Sequence, residues 1–343
     1  AGSSVKTREP LRASTTESMR PIMPDGAPAA SLILSGVTLP QPPATPTAQS
    51  VAAEVVAVVV AMVGGEPCVL QVDGAPRLPS GPLLESHRSL QAAVRAWAEE
   101  QTGRQLGFLE QLYTFADSDR DTAGRRISVC YLGLSRSGAG ARGGSWRRWY
   151  DLLPYEDVRT STAVLDRVVG GVREWVSDAD GPAYEERAAR AASLFGLDGQ
   201  PWEPDFTLQR YELLYEAGLL PESPDSVRHA DLVPGERMDA DHRRIVATAI
   251  ARLRAKITYR PVVFELMGDA FTLGQLQGCV EALAGRGVHT QNFRRLVEQQ
   301  QLVEETGEVA ATGGRPARLY RFRRQVLQQR SAAGTKLPTT RSR

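Results

Sequence analysis

The chain has 343 residues, 42% of them apolar, with 41 Lys and Arg against 40 Asp and Glu. That length and apolar content suit about two globular domains, and exclude a fibrous chain or one disordered throughout. The longest apolar run, residues 51–63, is interrupted by Glu54. It falls short of the about 20 apolar residues of a membrane-spanning helix and reads as a buried strand. The start of the chain carries no basic segment followed by an apolar one, so no secretory signal is expected.

Cys68, Cys130 and Cys279 are far apart and odd in number, which disfavours a disulfide framework and suits a reducing cytoplasm. His87, His229, His242 and His289 are equally scattered, and no Cys/His cluster has metal-ligand spacing. The near-neutral balance hides an asymmetry. Residues 241–343 hold 18 Lys and Arg against 8 Asp and Glu, leaving 23 against 32 in residues 1–240. Such a split predicts that the C-terminal part approaches a polyanion.

In chain order, residues 1–50 are rich in Pro, Ala, Ser and Thr without periodicity and are expected to be a disordered tail. Residues 51 to about 155 read as α/β. Two strands flank the turn Gly64-Gly65-Glu66, and a helix follows in which Leu90, Val94, Trp97 and Ala98 recur at helical spacing before Gly103 stops it. FLEQLYTF and RRISVCYLGL then form a long hairpin around a polar loop. Residues 160–238 read as three amphipathic helices. Their faces are marked by Leu165, Val168, Val169, Val172 and Val176, by Tyr184, Ala188, Ala191 and Phe195, and by Leu208, Tyr211, Leu214 and Tyr215. A long helix from Asp241 to Lys256, with His242, Ile245, Val246, Ala249, Ile250 and Leu253 on one face, leads into the C-terminal part.

There Pro261 can open a short helix, and Thr272 caps a helix built on Leu273, Leu276, Val280 and Leu283. Gly285-Arg286-Gly287 supplies a tight turn, and Thr290 caps a second helix. Two strands separated by a Gly-Gly segment close the pattern. Helix, turn, helix and hairpin is the order of a winged helix-turn-helix, whose second helix enters the major groove of duplex DNA. Thr290, Gln291 and Asn292 offer neutral donors and acceptors, while Arg294 and Arg295 can reach guanine edges or phosphates. Thr272 and Gln275 at the start of the first helix, and Arg315 and Arg318 at the wing, suit backbone contacts. Phe293 and Leu296 are expected in the core. Residues 315 to 343 carry nine basic residues and no acidic one, and 326–343 read as a basic flexible tail.

The helix ending at Gly103 reads Arg95-Ala96-Trp97-Ala98-Glu99-Glu100-Gln101-Thr102. It is similar to the Nudix signature, in which a Gly, a Glu and then Arg-Glu-apolar-x-Glu-Glu hold divalent metals on a pyrophosphate. Taking Arg95 as the motif arginine puts Ala96 where a Glu belongs, keeps Glu99 and Glu100, and leaves His87 six residues after Gly81. Taking Gly103 as the anchor puts Ala96 and Trp97 at the Arg-Glu positions and Gln101 at a paired glutamate. Either register lacks ligands, so weak hydrolysis or none is expected.

With LQRYELLYEAGLL, with the Asp-His before the long helix, and with the Asn-Phe-Arg-Arg and Gly-Arg-Pro-Ala of the C-terminal part, the chain resembles the Nudix-related transcriptional regulators of bacterial NAD metabolism. The likeness is to the NrtR type, nearest its NadQ-like branch, over about residues 51–325. The resemblance implies an α+β chain: a Nudix-like α/β sandwich sensor over 51–240 with its helical insert, then a linker helix and winged helix over 241–325. It also implies a cytoplasmic homodimer on double-stranded operator DNA of NAD-synthesis genes, with no membrane partner. The effector it implies is an adenine nucleotide such as ADP-ribose, NAD or ATP, with no cofactor required. Arg120 and Asp121 match a family position near the nucleotide pocket, to which Glu99 and Glu100 belong. An active ADP-ribose pyrophosphatase with an accessory DNA-binding domain is the alternative.

Overall fold

The computed structural model describes residues 51–116, 126–136, 142–224, 226, 233–259, 262–311 and 316–323. Arg120, Asp121, Arg315, Pro261, and the tails 1–50 and 326–343, lie outside the described residues.

The first half is a mixed sheet of six strands: β1 (Ala52–Val63), β2 (Glu66–Val72), β3 (Ser80–Pro82), β4 (Phe108–Phe115), β5 (Arg126–Ser135) and β6 (Gly144–Arg148). Its order is β4-β5-β1-β2-β6, with β3 paired to the start of β1. The β1–β5 pair is parallel and the other pairs antiparallel. Gly64 and Gly65, at φ +60° and +85°, make the β1–β2 turn that a right-twisted hairpin favours and that a side chain would strain.

β1 is buried on both faces, which its unbroken Val/Ala run allows. Val55, Ala57 and Val59 meet Ala93, Val94 and Ala98 of α1 (Leu90–Thr102). The Ser89 hydroxyl caps α1 by accepting from the Ala92 amide at 3.1 Å, and Gly103 ends it in the left-handed conformation at φ 65°. Val56, Val58 and Val60 face the other way, into the main core.

That core runs without a break from the sheet to the C-terminal helices. It takes in α2 (Trp149–Leu152), the insert helices α3 (Ala163–Ser177), α4 (Gly181–Phe195) and α5 (Thr207–Glu216), and α6 (His242–Tyr259). Three insert helices are present as expected, but Tyr184, placed on the apolar face of α4, is 48% exposed. Of that face, Ala191 and Phe195 are buried.

The winged part comprises α7 (Leu273–Ala284), α8 (Thr290–Gln299), β7 (Val303–Ala310) and β8 (Ala317–Phe322). Phe271 and Tyr320 exchange both backbone hydrogen bonds, at 2.9 and 2.8 Å, tying the segment before α7 to the hairpin. Phe264 stacks on Phe322 with ring centroids 4.2 Å apart. An α/β sandwich, a helical insert and a C-terminal helix-turn-helix with a two-stranded wing are thus all present. Among the described residues, no helix is long and apolar enough to cross a membrane.

Candidate functional site

The helix-turn-helix is held together by α7. Thr272 and Gln275 form a capping box: the Gln275 amide donates to the Thr272 hydroxyl at 3.1 Å, and the Gln275 side chain accepts from the Thr272 amide at 2.8 Å. Both residues proposed as DNA contacts at this end are therefore engaged in capping. The helix is expected to begin at Thr290 as its cap, and this is corrected: His289 is the cap, without a side-chain bond, and Thr290 is the first helical residue. The Thr290 hydroxyl is taken by Gln277, whose Nε2 donates to it and to the Val288 carbonyl, each at 3.1 Å. Glu281 accepts from the Val288 amide at 2.8 Å. Gln277 and Glu281 thus pin the start of α8 to α7, a role that nothing in their spacing distinguishes from a solvated helix face.

α8 buries Phe293 and Val297, and Leu296 is half-buried. Thr290, Gln291, Asn292, Arg294 and Arg295 are all exposed. Among the described residues neither Arg294 nor Arg295 has an ion-pair partner. The wing differs. Arg318 pairs with Glu305 at 2.7 Å and Arg321 with Glu304 at 2.6 Å across the hairpin, so its cations are shared with carboxylates.

The turn between α7 and α8 is set into the first half of the molecule. Glu156, in the 3₁₀ turn Pro154–Glu156, has no accessible side-chain surface. Its carboxylate accepts from Arg210 of α5 at 2.7 and 3.0 Å and pairs with Arg254 of α6. Burial pushes this carboxyl up, but the two guanidiniums outweigh it and hold Glu156 below the usual carboxylate range. Arg254 also donates to the Leu283 carbonyl at 3.0 Å, and Tyr150 to the Ala282 carbonyl at 2.6 Å, which occupies the last carbonyls of α7. The Val158 amide donates to the Gly285 carbonyl at 2.9 Å. Gly285 has φ 70°, and a Cβ there would lie 2.2 Å from the Glu156 carbonyl oxygen, so only glycine fits.

In the sandwich, Glu99 and Glu100 are both exposed, and Glu99 accepts from Gln105 at 3.0 Å. Trp97 and Gln101, one turn apart, face β3 instead. The Trp97 indole donates to the Pro82 carbonyl at 3.0 Å. Gln101 brackets Ser80, accepting from its amide at 3.1 Å and donating to its carbonyl at 2.7 Å. These are two of the positions that carry glutamates when Gly103 anchors the signature. Among the described residues, no group of three or more His, Cys, Asp or Glu is placed to hold a metal ion. The free thiols are buried, and burial pushes Cys68 to about 11 and Cys279 to about 12, which leaves them protonated and unreactive.

The C-terminal fold and the exposed face of α8 define a winged-helix DNA-binding module. Residues 263–322 match the family model of the NrtR DNA-binding winged helix domain. A segment of 82 residues is 39% identical to the ADPR responsive transcriptional repressor NtrR of Acinetobacter baylyi, covering 24% of this chain and 33% of that protein. The chain therefore spans about a third of the repressor it matches. Among solved structures, NrtR of Shewanella oneidensis complexed with a 27mer DNA is 22% identical, with a TM-score of 0.49 over 80% of this chain and 95% of that one. A MutT/nudix family protein of Enterococcus faecalis is 18% identical, with a TM-score of 0.47 over 81% and 89%.

Proposed function

We propose that the chain is a ligand-responsive transcriptional repressor of NAD-synthesis genes, acting in the cytoplasm as a homodimer on operator DNA. The observation that carries this reading is the exposed row Gln291, Asn292, Arg294 and Arg295 on the second helix of an NrtR-type winged helix. Gln and Asn can pair with adenine and Arg with guanine in the major groove. The sandwich is the sensor, and an adenine nucleotide is its effector: ADP-ribose, NAD or ATP, in a pocket that includes Arg120, Asp121, Glu99 and Glu100. ADP-ribose comes first among them, since the relative that is 39% identical over 82 residues is named an ADPR responsive repressor. The sensor binds the nucleotide without consuming it. Hydrolysis of a pyrophosphate needs several carboxylates converging on metal, and either register of the signature is short of them: with Arg95 as the motif arginine Ala96 replaces a glutamate, and with Gly103 as the anchor Trp97 and Gln101 do, both bonded to the β3 backbone instead.

The test is made on one preparation of the full chain. Mobility shift with a genomic fragment library should show salt-dependent retardation, calorimetry should show nucleotide binding, and chromatography with added Mg²⁺ or Mn²⁺ should show no AMP release. Absence of any retarded fragment at low salt overturns the repressor. Robust turnover lost in Glu100→Gln overturns the silent sensor and promotes the hydrolase.

A further inference from the structure

Arg286 sits in the turn between α7 and α8, flanked by Gly285 and Gly287 and four residues before Thr290. It is half-buried, and its guanidinium carbon lies 4.6 Å from the centre of the Trp202 ring. The same ring carries Arg210 at 3.8 Å. Arg286 makes no hydrogen bond and no ion pair among the described residues, and its Nε is buried without an acceptor. The carboxylate that could serve it, Glu156, is consumed by Arg210 and Arg254.

Three guanidiniums therefore crowd one carboxylate. Burial lowers the Arg286 pKa, and repulsion from Arg210 and Arg254 adds to it, reaching about 10. The side chain nonetheless stays charged at neutral pH. A half-buried cation without a partner is costly, and buried donors in folded proteins are nearly always satisfied. What this place lacks is an acceptor-rich anion. The adjoining start of α8, whose cap His289 makes no side-chain bond and whose dipole end is positive, favours the same kind of ligand.

We propose that Arg286 is a seat for a phosphate oxyanion, filled by a backbone phosphate of the DNA that α8 reads. The proposal rests on the DNA-binding reading of α8 and adds a contact outside that helix. Trp202 brings the insert into the interface: by stacking on the guanidinium it fixes the fork before DNA arrives. A free phosphate shares this chemistry. The place of Arg286 on the helix-turn-helix favours the DNA source.

Anisotropy of a labelled, retarded fragment is measured against salt for the full-length wild type, Arg286→Gln and Arg173→Gln, the last an exposed α3 position. The slope of log affinity against log salt should fall by about one in Arg286→Gln and stay unchanged in Arg173→Gln. The free Arg286→Gln protein should melt no lower than wild type, because an unpaired cation has been removed. An unchanged slope with wild-type DNA binding intact sinks this proposal and leaves the repressor reading standing. A clearly lower melting temperature makes Arg286 a structural brace and also overturns it. Inorganic phosphate that raises the wild-type melting temperature but not that of Arg286→Gln, with the slope unmoved, refutes the DNA source. Failure of the wild type to bind any DNA overturns the repressor reading and this proposal together.

Discussion

A carboxylate without accessible surface is tolerable only where its lone pairs are used, and Glu156 meets that condition with Arg210, Arg254 and the Thr207 hydroxyl at 3.3 Å. His242 is the opposite case, a buried base kept neutral. Its Nδ1 accepts from the Leu78 amide at 2.9 Å, so protonation there breaks a buried bond. Burial lowers its pKa to about 4 from an ordinary 6.5, against the pull of Glu54 and Asp239 in the other direction. Between those values the unfolded chain binds a proton that the folded chain does not. Stability from this residue is therefore complete above pH 6.5 and is lost as pH falls toward 4, by about 3 kcal/mol. Urea unfolding at pH 7 and pH 4.5 should show that loss, and His242→Gln should shrink it. An equal loss in the variant would assign the acid sensitivity to other groups.

At the scale of elements, the strands and helices with one clear period were legible in the sequence. The Val/Ala run became β1, the Ser89-to-Gly103 punctuation became α1, and the Thr272 cap and Gly285 turn framed α7. The long helix α6 was read as an amphipathic linker, yet Arg243, Arg254 and Lys256 are buried beside its apolar face. Their partners, Glu222, Glu156 and Glu110, come from segments 21, 98 and 146 residues away, and a local pattern cannot express such pairings. Trp97 and Gln101 escaped for a similar reason: their partner is the backbone of β3, which has no side-chain signature. Helix α8 was legible because its exposed polar row and buried Phe293 follow helical period. If Arg294 meets a base edge, Arg294→Ala should cost about 1–3 kcal/mol of DNA affinity and relax specificity at one position. Arg318 is shared with Glu305, so Arg318→Ala should weaken every sequence alike and by less. Binding selections on randomised sites with both variants decide between these outcomes, and equal sequence-independent losses would show that α8 is not the reader.

For the whole molecule, the clamp around Glu156 joins four separate stretches: the α2 region, the insert, α6 and the end of α7. An effector can change DNA affinity only if it binds two states of the protein differently. A winged helix whose turn is bonded to the sheet-bearing half cannot be re-aimed without disturbing that clamp, so under the proposed function α6 and the α7–α8 turn are the route we expect a signal to take. The same connectivity predicts cooperative unfolding. In urea, loss of DNA binding and the change in fluorescence of the five tryptophans, all of which precede the winged part, should share one midpoint. DNA binding that vanishes at clearly lower urea would mean that the winged part melts by itself.

The continuous core also governs how the chain is made. Synthesis at about 5–20 residues per second delivers the sheet well before α6 leaves the ribosome. Until α6 and α7 arrive, the Val56–Val58–Val60 face of β1 lacks much of its cover, and Glu156 lacks Arg254. A prematurely terminated chain is thus left with an open apolar face and a half-neutralised buried carboxylate, which marks it for proteolysis.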